Sequence, residues 1–413
     1  MLHPQVMANR LPWPMLIACM AEGMAWALLD GYGPVYMRLA LGEPRLSVVA
    51  LCTGLMSLAA FFMANIWGRQ ADKGKPVFGL MRSGLIAAAS LTLCFPFVQN
   101  SFLYIALCVA TSACLAVVAP LSLAWATAQT PEKPGRQASR FYRIRAVGSC
   151  LGSFGGSWLV RIAGMDGVLL GLQMTAALFL AGALTLSLTE KSFPDPRTTL
   201  TTITPVPEST GAPTGSVWYN PLISAIAITV FFSFGSNETF FSLVGPYYTE
   251  YLSGSAAELG ITLGIAHIVG LLAVGPVGRL ADWRGPLTVF ITGVVGYIGV
   301  YGLLSIWHQP LAVLILFAVP VYPFMALGAT GVLNRSVPPS QRAEAMGAFE
   351  GSAALALAGG SLFAGLGTDL LGLATLPLIA LALAVIGAAV ALLRVVGIAR
   401  KQTERQAGSS IPA

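Results

Sequence analysis

The chain has 413 residues, of which 56% are hydrophobic and only 10% charged, with a mean hydropathy of +0.76. A globular domain carries about 25% charge to cover its surface, so a soluble multidomain protein, a disordered chain, a collagen and a disulfide-stapled secreted fold are all excluded, and the solvent of this chain is lipid. Its net charge of +6 is then a question of where the cations lie relative to a membrane.

In chain order, residues 1–13 hold one cation, Arg10, and two prolines, Pro4 and Pro12. The apolar run that follows contains Glu22 and Asp30, which the core of a cleaved leader would not, so it reads as a retained first helix. The longest intervals without Asp, Glu, Lys or Arg run from Ser83 to Pro131 and from Gly285 to Asn334. Each is too long for one span of about 20 residues. Pro96 with Gln99-Asn100-Ser101 divides the first, and His308-Gln309-Pro310 divides the second. The same reading along the chain predicts twelve spans, roughly 14–37, 46–67, 77–97, 102–128, 140–162, 167–189, 220–249, 257–280, 287–307, 311–334, 343–368 and 372–396. The runs are continuously apolar, without the alternation of a barrel strand, so they are expected to be helices.

Lys and Arg placement orients them. With both termini in the cytoplasm, only Arg38, Arg45 and Arg161 of the 23 cations fall outside, the bias expected of a multi-pass protein of the cell (inner) membrane. The positive charge is therefore a feature facing lipid headgroups, with no nucleic-acid partner implied. Cys19, Cys52, Cys94, Cys108, Cys114 and Cys150 lie in or beside apolar stretches with no C-x-x-C spacing, and the only histidines are His3, His267 and His308. The cysteines read as packing residues, and neither metal nor cofactor is expected.

The two halves of the chain repeat each other. Gly33-Pro34 matches Gly245-Pro246, and Gly68-Arg69-Gln70-Ala71-Asp72 matches Gly278-Arg279-Leu280-Ala281-Asp282. Pro131 to Arg136 matches Pro338 to Arg342, and Gly148-Ser149 with Gly155-Gly156 matches Gly351-Ser352 with Gly359-Gly360. Between them, 190–217 is a polar linker with prolines at 194, 196, 205, 207 and 213 and seven threonines, a composition that resists packing. The expected organisation is an N-terminal six-helix half, 1–189, that linker, a C-terminal six-helix half, 218–398, and a cytoplasmic tail, 399–413. Two such pseudo-symmetric bundles around a central cavity are the anatomy of a carrier that rocks between two faces of the membrane.

On these residues the chain resembles the major facilitator superfamily over essentially its whole length. The loop after helix 2 in that family reads G-x-x-x-D-[RK]-x-G-[RK]. Gly68, Arg69, Asp72 and Lys73 follow it, with Gly74 and Lys75 one residue early; Gly278, Arg279, Asp282 and Gly285 keep the spacing, but Trp283 and Pro286 replace the two basic residues. The resemblance implies that this loop is a cytoplasmic gate. It also implies that helices 1, 4, 7 and 10 line the cavity. Helix 4 carries no charge here, whereas drug-exporting relatives usually have an arginine there, so either a different residue handles proton coupling or the chain is not a typical drug antiporter.

Glu22, Asp30 and Glu238 are the candidates. A carboxyl inside a span costs about 2.5–3.5 kcal/mol on insertion scales, so it faces a cavity or a partner. Glu22, Trp26 and Asp30 are spaced by fours and share a stripe of helix 1. For Asp30 a structural pairing with Arg38 competes with proton carriage. His267 is a further candidate, as a partner of Glu238, a titrating group in its own right, or a packing residue. Glu350 leans structural, against Arg342 or Arg145. Trp26, Trp125, Phe234, Asn237, Phe241 and Tyr322 are the candidate cavity residues, suited to an organic solute with apolar faces. Gly148, Gly152 and Gly156, four apart, offer a smooth face for close helix packing. The arginine-rich start of helix 5, Arg140, Arg143 and Arg145 before Gly148-Ser149, resembles both sugar and nucleoside symporters and the glycine motif of antiporters. The expectation is a proton-coupled secondary transporter of a small organic solute, acting as a monomer by alternating access, with export by antiport ahead of import by symport. A non-transporting receptor or a membrane enzyme is the rival class, and the spans hold no nucleophile–base pair to favour the enzyme.

Overall fold

A computed structural model describes residues 12–129, 134–189, 220–337 and 342–398. The linker 190–217, the tail 399–413, His3, Pro131 and Pro338 lie outside them. Among the described residues all regular structure is helical, and it forms the twelve spans. In the first half these are α1 (Trp13–Leu39), α2 (Leu46–Asp72), α3 (Val77–Thr92), α4 (Ser101–Leu115, continuing as Val118–Gln129), α5 (Pro134–Ala163) and α6 (Asp166–Thr189). In the second they are α7 (Pro221–Phe241, with Val244–Pro246 and a π-helical turn Tyr247–Tyr251), α8 (Ala256–Arg284), α9 (Pro286–Leu304), α10 (Pro310–Phe317 and Val321–Ser336), α11 (Arg342–Leu371) and α12 (Leu376–Val390, then a π-helical turn Ala391–Val395). Ten of the described spans are long and apolar enough to cross a membrane by composition alone. The other two are α1 and α5, which hold Glu22, Asp30 and the arginines.

Three spans expected to be continuous are broken, each four residues before a proline. A proline ring clashes with the carbonyl four residues earlier and donates no hydrogen bond to it. Pro120 accordingly breaks α4 at Ala116–Val117, Pro320 and Pro323 break α10 between Phe317 and Val321, and Pro246 ends the first part of α7 at Ser242. Pro120 and Pro323 occupy matching places in the repeat, so the break in α4 is copied in α10. In α1 the helix continues through Pro34.

Local signals set the helix starts. Asn100 accepts a hydrogen bond from the Leu103 amide at 2.9 Å. Ser255 and Glu258 form a reciprocal capping box at α8, with bonds of 3.1 and 3.0 Å. The ends after α2 and α8 use glycine: Gly74 and Gly285 have φ of +84° and +86°, a left-handed conformation that only glycine takes cheaply. The residue missing before Gly74 is thus absorbed by an earlier helix end, and both copies of the loop keep a left-handed glycine.

The described residues fall into two compact units. The first takes the described parts of Met1–Pro44, Leu55–Glu208 and Gly254–Ile268. Within it α1 packs on α5 and α6, and α3 on α4 and α6, around a core that includes Met15, Leu85, Leu115, Phe141 and Phe179. The second takes the described parts of Arg45–Gly54, Ser209–Ser253 and Val269–Ala413. Within it α7 packs on α11 and α12, and α9 on α10 and α12. The partner scheme is the same in both, as the sequence repeat requires. The first nine residues of α2 and the first thirteen of α8 belong to the unit opposite to the rest of their helices.

Candidate functional site

In the first unit the site is built on a glycine seam between α1 and α5. A Cβ at Gly148 would overlap the Met20 carbonyl oxygen; at Gly152 it would lie 2.7 Å from the Met24 carbonyl oxygen, and at Gly156 2.7 Å from the Tyr32 ring. From the other side, Gly23 meets the Arg145 carbonyl. Only hydrogen in place of Cβ lets the two backbones come this close. Ser149 ties them, its hydroxyl donating to the Gly23 carbonyl at 3.2 Å and to the Arg145 carbonyl at 3.3 Å.

That approach sets Arg145 opposite Glu22, Nη2 to Oε1 at 3.5 Å. Glu22 is 3% exposed and Arg145 33%, so the carboxylate is sealed while its cation still reaches outward. The second oxygen of Glu22, Oε2, is buried without a hydrogen-bond partner. The Trp26 indole, one turn along α1, lies close to the same carboxyl group. Asp30 is half-buried, its Oδ1 enclosed without a hydrogen bond. His267, half-buried on α8, places Nδ1 3.3 Å from the Ser153 hydroxyl of α5, and the Tyr32 hydroxyl donates to the Ser153 carbonyl at 2.9 Å. The partner found for His267 is therefore Ser153. Arg38, at the end of α1, donates to the carbonyls of Glu43 and Pro44 at 2.6 and 2.8 Å. Trp125 is 3% exposed and belongs to the first unit's core, its ring 6.2 Å from Phe78.

The second unit holds the other buried carboxyl. Glu238 on α7 is 4% exposed, and its Oε1 accepts from the Ser361 hydroxyl of α11 at 3.2 Å. Gly360 lies against the Glu238 Cβ, and the Thr239 hydroxyl donates to the Gly360 carbonyl at 2.9 Å. Asn237, half-buried, accepts from the Tyr301 hydroxyl of α9 at 3.1 Å, and Tyr301 stacks on Tyr297. Phe234 meets Tyr322 edge-on with centroids 5.1 Å apart, Phe241 stacks on Phe317, and Tyr322 is 53% exposed.

The loop residues Gly68, Arg69, Asp72, Lys73, Gly74 and Lys75 end α2. Three backbone bonds close that end: Lys73 to Arg69, Gly74 to Ala71 and Lys75 to Gln70, at 3.1, 3.0 and 3.3 Å. Gly278, Arg279 and Asp282 lie in the last turns of α8. Neither Gly68 nor Gly278 has an atom within 4 Å of where a Cβ would stand. Among the described residues no group of three His, Cys, Asp or Glu side chains gathers at metal-ligand spacing.

Sequence reasoning missed Arg145 as the partner of Glu22, and missed Ser361, Ser153 and Tyr301 altogether. A signal for Arg145 existed: Gly148 with Gly152 predicts a close neighbour for α5, and Gly23 beside Glu22 is the glycine that answers it.

Twelve membrane helices in two units of one packing scheme, with carboxylates sealed inside the spans, define the class: a multi-pass membrane transport protein. The sequence profile of the Major Facilitator Superfamily matches residues 15–332 and 226–411, and the chain belongs to that family of secondary transporters. Similar solved structures include a variant of the nucleoside transporter NupG, 15% identical with a TM-score of 0.75, covering 93% of this chain and 99% of that one. They also include a bacterial homologue of the human lysosomal transporter Spinster, in an inward-facing, unoccupied conformation, 15% identical with a TM-score of 0.76, covering 93% and 96%. No sequence among curated proteins matches the chain.

Proposed function

We propose that the chain is a proton-coupled transporter of a small organic solute, and that the Glu22–Arg145 pair is its coupling element. The observation that carries this is the sealed carboxylate with one oxygen 3.5 Å from Arg145, the other without a hydrogen bond, and the Trp26 indole beside the group. A buried charge left half-satisfied is costly, and a proton on Glu22 relieves the cost and frees Arg145. Glu238 with Ser361 is the matching acid of the other half. The halves 1–189 and 218–398 rock about the linker 190–217, the tail 399–413 is cytoplasmic, and the monomer sits in the cell membrane with both termini inside. Trp26, Phe234, Asn237, Phe241 and Tyr322 form the solute's surroundings, and the Gly68–Lys75 and Gly278–Asp282 loops gate the cytoplasmic face.

Export by antiport is the first reading of direction, resting on the loop motif and its second copy. Import by symport has one observation of its own: Arg145 is the outward-reaching member of the pair, so a proton on Glu22 would offer a guanidinium to an acceptor-rich solute. The test is proton movement driven by a solute gradient in proteoliposomes. The solute is chosen by thermal shift from sugars, nucleosides, siderophores and cationic drugs, since a ligand stabilises the state it binds. Acidification and alkalinisation of the lumen distinguish the two directions. Glu22→Gln is expected to carry solute by exchange without moving protons; coupling equal to wild type in both Glu22→Gln and Glu238→Gln would end the carboxylate reading.

A further inference from the structure

The start of α2 is capped by a residue 323 positions away. The first amides of a helix lack partners in their own helix, and Arg45, just before Leu46, has no side-chain oxygen to supply one. Asp369 of α11 does so instead. Its Oδ1 accepts from the Leu46 amide at 2.9 Å and its Oδ2 from the Ser47 amide at 3.2 Å. Asp369 lies in the last turn of α11, where the negative end of that helix's own dipole disfavours a carboxylate. It is badly placed for its own helix and well placed for α2.

Below the cap the seam is made of small residues. A Cβ at Gly365 would lie 2.6 Å from the Ser47 Cα, and one at Gly54 would lie 3.2 Å from the Ser361 Cβ and 3.4 Å from the Ala358 carbonyl. Positions 358, 361, 365 and 369 form one stripe of α11. Ser361 within it also donates to Glu238, so the inner end of the seam rests on the buried acid. The pseudo-equivalent contact, the start of α8 on α5, holds two hydroxyl-to-carbonyl and imidazole ties, Ser157 to the Ala257 carbonyl at 2.6 Å and Ser153 to His267 at 3.3 Å. Only residues 46–54 of α2 belong to the second unit, and the helix continues from Leu55 in the first.

We propose that Asp369 is a gate-positioning residue: its two-oxygen cap on α2 is a latch, closed in this conformation, that must open when the small-residue seam between α2 and α11 parts. This rests on the alternating-access reading above. Charge placement puts this end of α2 on the outer face, opposite the Gly68–Lys75 loop.

The test is maleimide labelling of Ala50→Cys, fully buried in the seam, in a full-length chain whose six native cysteines are replaced by alanine. Ala176→Cys, fully buried in α6, is the control. With the cap intact labelling is slow. Asp369→Ala is expected to raise the rate at position 50 about five- to tenfold, the scale of losing a helix cap, with Asp369→Asn, which keeps one acceptor, in between and position 176 unchanged. Equal rates at position 50 in all three overturn the latch, and so does a parallel rise at position 176, which would mark general loosening. Should Asp369→Ala fail to fold, the wild-type and Asp369→Asn comparison decides alone. Labelling needs no transport, so a wild-type chain that carries no solute counts against the transport reading, whereas unchanged labelling in the Asp369 variants counts against the latch, and the two failures are read separately.

Discussion

Gly148 and Gly155 lie on the same helix, two turns apart, and alanine at each should act in opposite directions. At Gly155 nothing stands within 4 Å of the added Cβ, so Gly155→Ala gains helix propensity, up to about 1 kcal/mol. At Gly148 the Cβ would meet the Met20 carbonyl, a backbone atom that no rotamer change removes. Restoring ordinary contact requires α5 to move off α1 by about 1.5 Å. Overpacking of this kind costs about 1–3 kcal/mol, and a backbone obstacle belongs at the upper end. The same movement stretches the Ser149–Gly23 bond, already 3.2 Å, at about 1 kcal/mol. The total is about 4 kcal/mol. At about 2 °C per kcal/mol for a chain of this size, Gly148→Ala should melt about 8 °C below wild type and Gly155→Ala at or slightly above it. Gly152→Ala and Gly156→Ala fall between, the latter the milder because it meets a ring edge. The assay is thermal unfolding in detergent at one fixed scan rate, followed by tryptophan fluorescence. Gly148→Ala melting within 1 °C of Gly155→Ala would refute the seam, and with it the account of how Arg145 is brought to Glu22.

Three further outcomes are expected. In a double-mutant cycle, Arg145→Gln alone strands the Glu22 carboxylate; discounted for the one-third exposure of Arg145, the cost is about 2 kcal/mol, and Glu22→Gln in the same chain should recover about 1 kcal/mol of it. Strict additivity in the melting data would mean the two side chains do not interact. Gly74→Ala must adopt a φ of +84° and should lose about 1 kcal/mol, while Gly68→Ala, with open space around it, should melt with wild type; the reverse order would contradict the turn geometry. Tyr301→Phe removes the donor to Asn237 at about 1 kcal/mol, read by the same melting assay, and no shift would place that bond outside the native ensemble.

The membrane fold was legible because lipid leaves few options. Continuous apolar runs must be helices, and glycine, proline and serine pairs repeated at nearly constant offsets expose the duplication. Helix continuity was less legible. An apolar run reads the same whether or not Pro120 or Pro323 interrupts it, and proline breaks α4 and α10 yet is carried inside α1 at Pro34. For the site, the acids announced themselves by their cost in lipid, but their partners did not. Serine is unremarkable in a span, so Ser361 and Ser153 carry no sequence signal of what they touch. Asp369 reads as the ordinary polar end of a helix until α2 is seen against it.

The pair of Glu22 and Arg145 is also poorly explained as a device for stability. Inserting two charged groups costs about 2.5–3.5 kcal/mol each at mid-span, and their 3.5 Å separation is longer than the 2.7–2.9 Å of a strong charge-assisted bond. Well-packed apolar residues in place of a buried pair are often as stable or more so. Here α1 and α5 are the two spans that fall short of the apolarity of the other ten, a glycine seam brings their backbones together, and the assembled pair still leaves Oε2 without a hydrogen bond. A structure built for stability would complete the network or replace it with leucine. The incomplete network is instead what the proposed proton-coupling role of Glu22 requires, a carboxylate able to exchange a cation for a proton.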